Sequence, residues 1–232
     1  MQILKSSEKM KTTQIDKEQL VKQYGEKISG LSRRMIWNFD IAKEAAQEVW
    51  YEVLKSIDKF NGNSNIATWI FTIAKRTILR YAKNEKVLKT SEIDNHFNLE
   101  HIDYRGEERE KKQWIKEQCD FCLTAFCHCL TNEARLIFLF RDIAELTDSQ
   151  ISQIMDMKEE NIRQIAHRSR EKVKRFMQKD CVLVSSQGNC RCRIRKHIQS
   201  VELDKEYNKL AKAAGLIEIF KKFDKKLPRR NY

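Results

Sequence analysis

Two separated segments of this chain carry the side chains best suited to binding chemistry. The first holds amides and a hydroxyl between Phe60 and a helical pattern that begins near Ile66. These polar groups, Asn61, Asn63, Ser64 and Asn65, can hydrogen-bond the edge of an extruded nucleic-acid base, whose unstacking costs about a few kcal/mol. Basic residues that follow on the same predicted helix can hold phosphates beside that base. They are Lys75, Arg76, Arg80 and Lys83.

The second segment has the pattern of a helix-turn-helix. Thr147 and Gln150 predict a capping box that begins a short helix, and the turn falls at 156–158, where Asp156 tolerates left-handed backbone better than most residues. The segment from Lys158 to Lys179 contains eight basic and three acidic residues, which gives a local charge of +5. In this motif the first side chains of the second helix face base edges. The predicted outer face carries Asn161, Arg163, Gln164, His167, Arg168 and Arg170, and Lys158 at the end of the turn is a further candidate contact.

Apolar periodicity predicts that helices position both segments. Asp16 and Gln19 resemble a capping box, a second helix is expected to start near Asp40, and a third follows the polar loop. The chain contains only six Gly and one Pro, so residues that interrupt helices are rare and long helices are favoured. We therefore predict an all-α protein with two small helical domains, a three-helix bundle at 1–86 and a helix-turn-helix domain at 113–180. Trp69 lies on the apolar stripe of the third helix, which favours a core role.

Two further segments differ in composition from these domains. Residues 87–110 carry seven acidic residues against three basic ones, a local charge of −4, without a helical stripe. This pattern predicts a flexible acidic linker at 87–112. Residues 181–232 form a Cys-rich basic extension, and an amphipathic helix is expected after Ser200.

Composition narrows the class of protein. The formal net charge of +12 favours a polyanionic partner. No apolar run approaches the roughly 20 residues of a membrane span, and the N-terminus lacks a secretory core, so we expect a cytoplasmic protein without membrane insertion. Its low mean hydropathy argues against one large compact core. No paired carboxylates, nucleophile-base set or phosphate loop stands out, so we do not expect an enzyme.

The seven cysteines separate into two groups. Cys181, Cys190, Cys192 and His197 could form a tetrahedral zinc site, the one cofactor that the sequence suggests. Reduced thiols in a basic tail explain the pattern equally well, and nearby Arg side chains could instead make these thiols redox-reactive. The second group is expected to pack in a core, and the alternative is a second metal site formed by its first two members with one of the other two. It consists of Cys119, Cys122, Cys127 and Cys129.

The polar loop carries a specific family signature. Phe60, Gly62, Ser64, Ile66, Thr68, Trp69 and Ile70 match the pattern Phe-x-Gly-x-Ser-x-Phe-x-Thr-Trp-Leu. In this respect the chain resembles bacterial sigma factors of the extracytoplasmic-function (ECF) class, and the resemblance covers roughly residues 15–180. It departs from the family where Arg76 and Arg80 replace a frequent Asn and Asp, which makes the segment more basic.

The resemblance implies a function and partners. The first domain would bind core RNA polymerase and open the −10 promoter element, and the helix-turn-helix would read the −35 element of promoter DNA. Asp40, Gln47 and Glu48 match the family's polymerase-binding helix. An anti-sigma factor is a further candidate partner. Two alternatives stay open from the residues alone: a stand-alone helix-turn-helix regulator, and a zinc- or thiol-responsive DNA-binding sensor.

Overall fold

The computed structural model describes residues 15–89 and 124–180. In this part of the chain, all regular structure is helical. The α-helices are α1 (Lys17–Met35), α2 (Phe39–Ser56), α3 (Ile66–Tyr81), α4 (Asn132–Asp142), α5 (Asp148–Met155) and α6 (Glu159–Asp180). Short 3-10 helices at Ile57–Lys59 and Ala82–Asn84 follow α2 and α3.

Side-chain caps determine where the first three helices begin. The carboxylate of Asp16 accepts from the backbone N–H of Gln19, and the side chain of Asn38 accepts from two backbone N–H groups at the start of α2. These bonds satisfy donors that have no partner inside the helix. The apolar stripes predicted for α1 and α2 are buried, and α2 packs against both α1 and α3. The expected three-helix unit is therefore confirmed.

The helix-turn-helix is also confirmed. Both halves of the capping box between Thr147 and Gln150 are formed at the start of α5. Asp156 ends α5 in the left-handed region, with φ 58° and ψ 49°. Ile162, Ala166 and Val173 on α6 are buried, as the predicted inner stripe requires.

One expectation about packing is wrong. The low mean hydropathy suggested that no large core would form, but the buried residues of both helical units form one continuous cluster in the described ranges. Phe71 of α3 and Phe140 of α4 meet inside it, with ring centroids 5.7 Å apart. The low average reflects many charged residues on helix surfaces, and an average does not report how apolar residues are distributed among faces.

Several predictions concern residues outside the described ranges. They include most of the acidic linker, the thiols Cys119 and Cys122, and the whole extension from residue 181. None of the described helices combines the length and the apolar character that a membrane crossing requires.

Candidate nucleic-acid interface

The polar loop before α3 presents its side chains to solvent. Residues 61–65 are all exposed, and Gly62 has φ 76°, a conformation that L side chains rarely adopt. The side chain of Asn61 accepts from the backbone N–H of Asn63 at 3.1 Å, which holds the loop in a turn. Phe60 and Trp69 pack together behind the loop, with ring centroids 5.4 Å apart. Trp69 is half-buried and packs against the apolar core, in agreement with the predicted core role.

Asn65 has a structural task in this loop. Its side-chain oxygen accepts from the backbone N–H of Ala67 at 2.8 Å and caps α3. The sequence placed Asn65 with Asn61, Asn63 and Ser64 in one base pocket. The structure brings these four residues together on one exposed loop, but two of the three amides already bond the backbone.

The basic residues of α3 and of the 3-10 helix that follows it differ in their surroundings. Arg76 and Lys83 are exposed and oriented toward solvent. Arg80 is exposed but lies 3.2 Å from the carboxylate of Glu48 on α2. Lys75 is half-buried, and its Nζ donates to the backbone oxygen of Ile154 near the end of α5 at 2.8 Å. Arg76 and Lys83 are thus directly available to phosphates, whereas Lys75 and Arg80 would exchange a present partner for DNA.

The predicted polymerase-binding residues lie on α2. Asp40 and Gln47 are exposed, and Glu48 is half-buried and lies 3.2 Å from Arg80. The same helix exposes large apolar side chains, and Tyr51 is the most exposed of them at 58%. Phe39, Ile41 and Leu54 also belong to this set. An exposed face that combines apolar and charged groups is suited to a protein partner.

The helix-turn-helix presents a polar face at the start of α6. Lys158, Asn161, Arg163, Gln164, His167 and Arg168 are all exposed, in agreement with the predicted outer face. Arg163 lies 3.3 Å from Glu159 one turn earlier, a surface pair of the kind that contributes about 0.3–0.5 kcal/mol. Such a weak pair leaves the guanidinium available to a base edge.

Arg170 does not belong to this outer face, contrary to the sequence prediction. Its Nε lies 3.1 and 3.2 Å from the two carboxylate oxygens of Asp142, which is buried at the end of α4. A buried carboxylate needs a partner, and the arginine one helical turn beyond the reading face supplies it. Arg170 therefore ties α6 to α4 inside the domain.

The two described cysteines are core residues, as predicted. Cys127 and Cys129 are buried. Desolvation raises the pKa of Cys127 to about 12 and that of Cys129 to about 11, so both stay protonated at neutral pH. The described ranges contain no cluster of three or more His, Cys, Asp or Glu side chains arranged to hold a metal. The zinc prediction for Cys181, Cys190, Cys192 and His197 lies outside those ranges and stays a prediction.

Sequence reasoning missed a polar cluster that joins the two helical units. Arg135 of α4 is 0% exposed and donates to the backbone oxygens of Cys127, Leu130 and Met35 at 2.9–3.0 Å. His128 lies 3.0 Å from the carboxylate of Glu85. The pairs of Glu85 with His128 and of Met35 with Arg135 are 43 and 100 residues apart along the chain, so no local spacing could reveal them.

Comparison with known proteins decides the family. Residues 20–87 match the family model described as Sigma-70 region 2, and residues 128–175 match Sigma-70, region 4. The chain is a sigma factor of the ECF class. The first match contains most of α1, then α2 and α3 with the polar loop, and the second contains α4, α5 and most of α6.

Curated relatives agree with this assignment. The sigma factor is 25% identical over 162 residues to the RNA polymerase sigma factor YlaC of Bacillus subtilis, which covers 70% of this chain and 92% of the relative. It is also 25% identical over 166 residues to the ECF RNA polymerase sigma-E factor of Haemophilus influenzae, covering 68% of this chain and 86% of the relative. The ECF RNA polymerase sigma-E factor of Escherichia coli is 23% identical over 158 residues, with coverages of 66% and 82%.

The sigma factor also has a solved structural neighbour. CnrH, in complex with the cytosolic domain of CnrY, superposes with a TM-score of 0.52 at 10% sequence identity. The superposition covers 70% of this chain and 87% of CnrH. At this low sequence identity, the structural similarity supports the assignment of the fold alone.

Proposed function

We propose that the N-terminal unit of this sigma factor opens the −10 element of a promoter. The support is the exposed polar loop at 61–65, which stands at the start of α3 and is braced by the contact between Phe60 and Trp69. An extruded base would bond the loop's amides and hydroxyl, while Arg76 and Lys83 would hold phosphates beside it. Lys75 and Arg80 would join them after releasing Ile154 and Glu48.

We further propose that α6 reads the −35 element in the major groove. Arg163 and Gln164, in the first turns of α6, are exposed and have the side chains that read guanine and adenine by paired hydrogen bonds. Lys158, His167 and Arg168 would contact the neighbouring phosphates, which set register without specifying sequence. Asn161 would contact a further base edge.

Core RNA polymerase and promoter DNA are the partners of this family. We assign the polymerase contact to the exposed face of α2, through Asp40, Gln47 and Glu48 with the apolar side chains between them. Sigma factors are initiation factors without enzymatic activity, so binding energy alone would direct polymerase and open the duplex. We place this activity in the cytoplasm, together with polymerase and DNA.

The observation that carries the proposal is the joint presence of both DNA-binding surfaces on one chain. A regulator that binds a single operator needs a helix-turn-helix but has no use for a base-holding loop. The loop and the helix-turn-helix lie within the two family-matched ranges, in the order expected for promoter recognition.

The decisive experiment is run-off transcription from a pool of genomic promoters with purified core polymerase, with and without the protein. Discrete new start sites that share two upstream sequence elements would support the proposal. A chain that binds duplex DNA tightly by itself and adds no transcripts to core would instead be a stand-alone regulator.

A further inference from the structure

We propose that Asn61 is a site of spontaneous deamidation, and that the carboxylate formed there weakens opening of the −10 element. Asn61 lies in the exposed polar loop and is followed by Gly62, the only Asn-Gly step in the sequence. Asparagine is among the chemically labile residues of proteins. The modification follows from the chemistry of the loop, whereas its consequence rests on the proposed function, so the two are measured separately.

The reaction needs only the chain and water. The backbone nitrogen of Gly62 loses its proton and bonds to Cγ of Asn61, the bond from Cγ to Nδ2 breaks, and the amide nitrogen leaves as ammonia with that proton. This step forms a cyclic succinimide. Water then opens the ring at either carbonyl, which gives an aspartate or, with the main chain running through Cγ, an isoaspartate. A neutral amide is thereby replaced by a carboxylate, without an oxidant or a reductant.

The attacking nitrogen is accessible because Gly62 has no side chain. Apart from its chain neighbours, no atom lies within 4 Å of the position that a Cβ would occupy. In the part of the chain that the structure describes, the Gly62 N–H has no backbone hydrogen-bond partner. Glycine also has the widest range of backbone conformations. The nitrogen of Gly62 can therefore approach the side chain that precedes it.

The loop also stabilises the charge that develops during ring closure. Asn61 Oδ1 accepts from the backbone N–H of Asn63 at 3.1 Å. Negative charge collects on this oxygen when Cγ is attacked, and a donor already in place stabilises it, as in an oxyanion hole. The ring that this hydrogen bond closes includes the Gly62 nitrogen, so the turn holds the two reacting atoms in one short segment.

Two other asparagines make the same type of bond but differ in the residue that follows. The side chains of Asn38 and Asn65 each accept from the backbone N–H two residues later, at 3.0 and 2.8 Å. Their successors, Phe39 and Ile66, are the first residues of α2 and α3. A large side chain and a helical backbone both restrict the approach of the nitrogen. We therefore expect deamidation at Asn61 and not at these two positions.

The product places a negative charge where DNA is proposed to bind. Residues 61–65 include no charged side chain, and the exposed Arg76 and Lys83 are assigned to phosphates beside them. A carboxylate at Asn61 repels those phosphates. It also lacks the N–H donors that the amide offers to a base edge. Both effects oppose binding of an extruded base and its strand.

Deamidation is not expected to unfold the protein. The aspartate product keeps an oxygen that can accept from the Asn63 N–H, and an ionised acceptor strengthens such a bond. Phe60 and Trp69 pack behind the loop and are unchanged by the reaction. A loss of promoter opening after deamidation would therefore reflect the local charge.

The first measurement follows the modification in the full chain during incubation at mildly alkaline pH. Peptide mass spectrometry in heavy-oxygen water locates each conversion, because hydrolysis of the succinimide adds a labelled oxygen. We expect Asn61 to convert at least about tenfold faster than Asn65, which corresponds to a barrier difference of about 1.4 kcal/mol. Equal rates at Asn61, Asn38 and Asn65 would overturn the modification site.

Two substitutions separate the amide from the charge. Asn61→Ser keeps an acceptor oxygen but has no amide to lose, and Asn61→Asp carries the charge from the start. Circular dichroism and urea unfolding establish that each variant is folded. Each protein is compared with itself before and after incubation, and the activity of Asn61→Ser should stay constant over the time in which that of the wild type declines.

The second measurement is the protein concentration that half-saturates run-off transcription on a promoter with both elements. We expect a rise of roughly fivefold as Asn61 converts, and the same difference between fresh Asn61→Asp and fresh Asn61→Ser. Binding to an isolated −35 duplex should not change.

The possible failures are distinct. Complete conversion of Asn61 with unchanged half-saturation would overturn the inhibitory role, and so would a parallel loss of −35 binding, which indicates general damage. No transcripts from fresh wild-type protein, with Asn61 converting as expected, would refute the proposed function separately.

Discussion

Asn65 shows at the residue scale how one side chain can be assigned to two tasks. The sequence pattern placed it in a base pocket, and the structure shows it capping α3. Because a capping oxygen already has its donor, Asn63 is the better candidate for a base contact. No side-chain bond of Asn63 is formed in the described residues, and its amide projects from the exposed loop.

These tasks can be separated by substitution. Asn65→Ala removes the cap and is expected to lower the free energy of unfolding by about 1 kcal/mol, whereas Asn65→Ser keeps a capping oxygen and most of the stability. Asn63→Ala should leave stability unchanged and impair −10 opening. Urea unfolding and permanganate footprinting of the open complex measure the two effects. Normal opening with Asn63→Ala would remove that residue from the pocket.

Arg163 is the residue whose loss should change promoter choice. It is exposed in the first turns of α6, with only a surface contact to Glu159. Arg163→Ala is expected to relax the preference at one −35 base and to cost about 1–3 kcal/mol of binding. The measurement is the binding affinity for promoter DNA that carries each of the four bases in turn at every −35 position. Arg175→Ala, further along α6, serves as the control and should weaken binding without altering the preferred base.

At the element scale, the turn between α5 and α6 depends on backbone conformation. Asp156 adopts φ 58°, where a Cβ is costly and glycine is not. This single left-handed residue ends α5 and directs the chain into α6. It therefore sets the angle at which the reading helix is presented.

A pair of substitutions tests this conformation. Asp156→Gly is expected to be neutral or to stabilise the fold by up to about 1 kcal/mol, while Asp156→Val should destabilise it by more than that, because a β-branched side chain fits the left-handed region poorly. Thermal unfolding reports both. Gln153→Gly, within α5, is the control and should cost about 1 kcal/mol. If both Asp156 variants had the same stability, the left-handed turn would be excluded.

At the scale of the whole molecule, Glu85 links stability to pH. Burial acts to raise its pKa, but the bond from His128 and the backbone N–H of Trp37 outweigh burial, and the pKa lies below its ordinary value of 4.5. A carboxyl whose pKa is lower in the folded state stabilises the fold above its unfolded pKa. That contribution is lost as the pH falls through the folded value.

Acid is therefore expected to weaken the contact between the units below about pH 4.5. Urea midpoints at pH 6, 4 and 3 measure this loss in the wild type. Glu85→Gln should be less stable at pH 6 and should show a smaller decrease toward pH 3. Glu171→Gln, an exposed carboxylate on α6, provides the comparison and should follow the wild type. A Glu85→Gln variant with the wild-type acid dependence would show that Glu85 does not contribute.

Local features were predictable from the sequence because their partners are local. The caps at Asp16 and Thr147, the left-handed Asp156 and the exposed face of α6 all depend on residues within a few positions. Helical periodicity likewise separated buried from exposed positions. The order of the two DNA-binding surfaces follows directly from their motifs.

Only the tertiary structure decided how these parts meet. Several bonds join residues that are far apart along the chain. They are those of Arg170 with Asp142, Arg135 with Met35, Lys27 with Ala144 and Lys75 with Ile154. Hydrophobic patterning shows that a face is buried but not against which element, because apolar contacts lack direction. The sequence by itself therefore determined the helices and their reading surfaces, and the packing of the two units against each other became visible only in three dimensions.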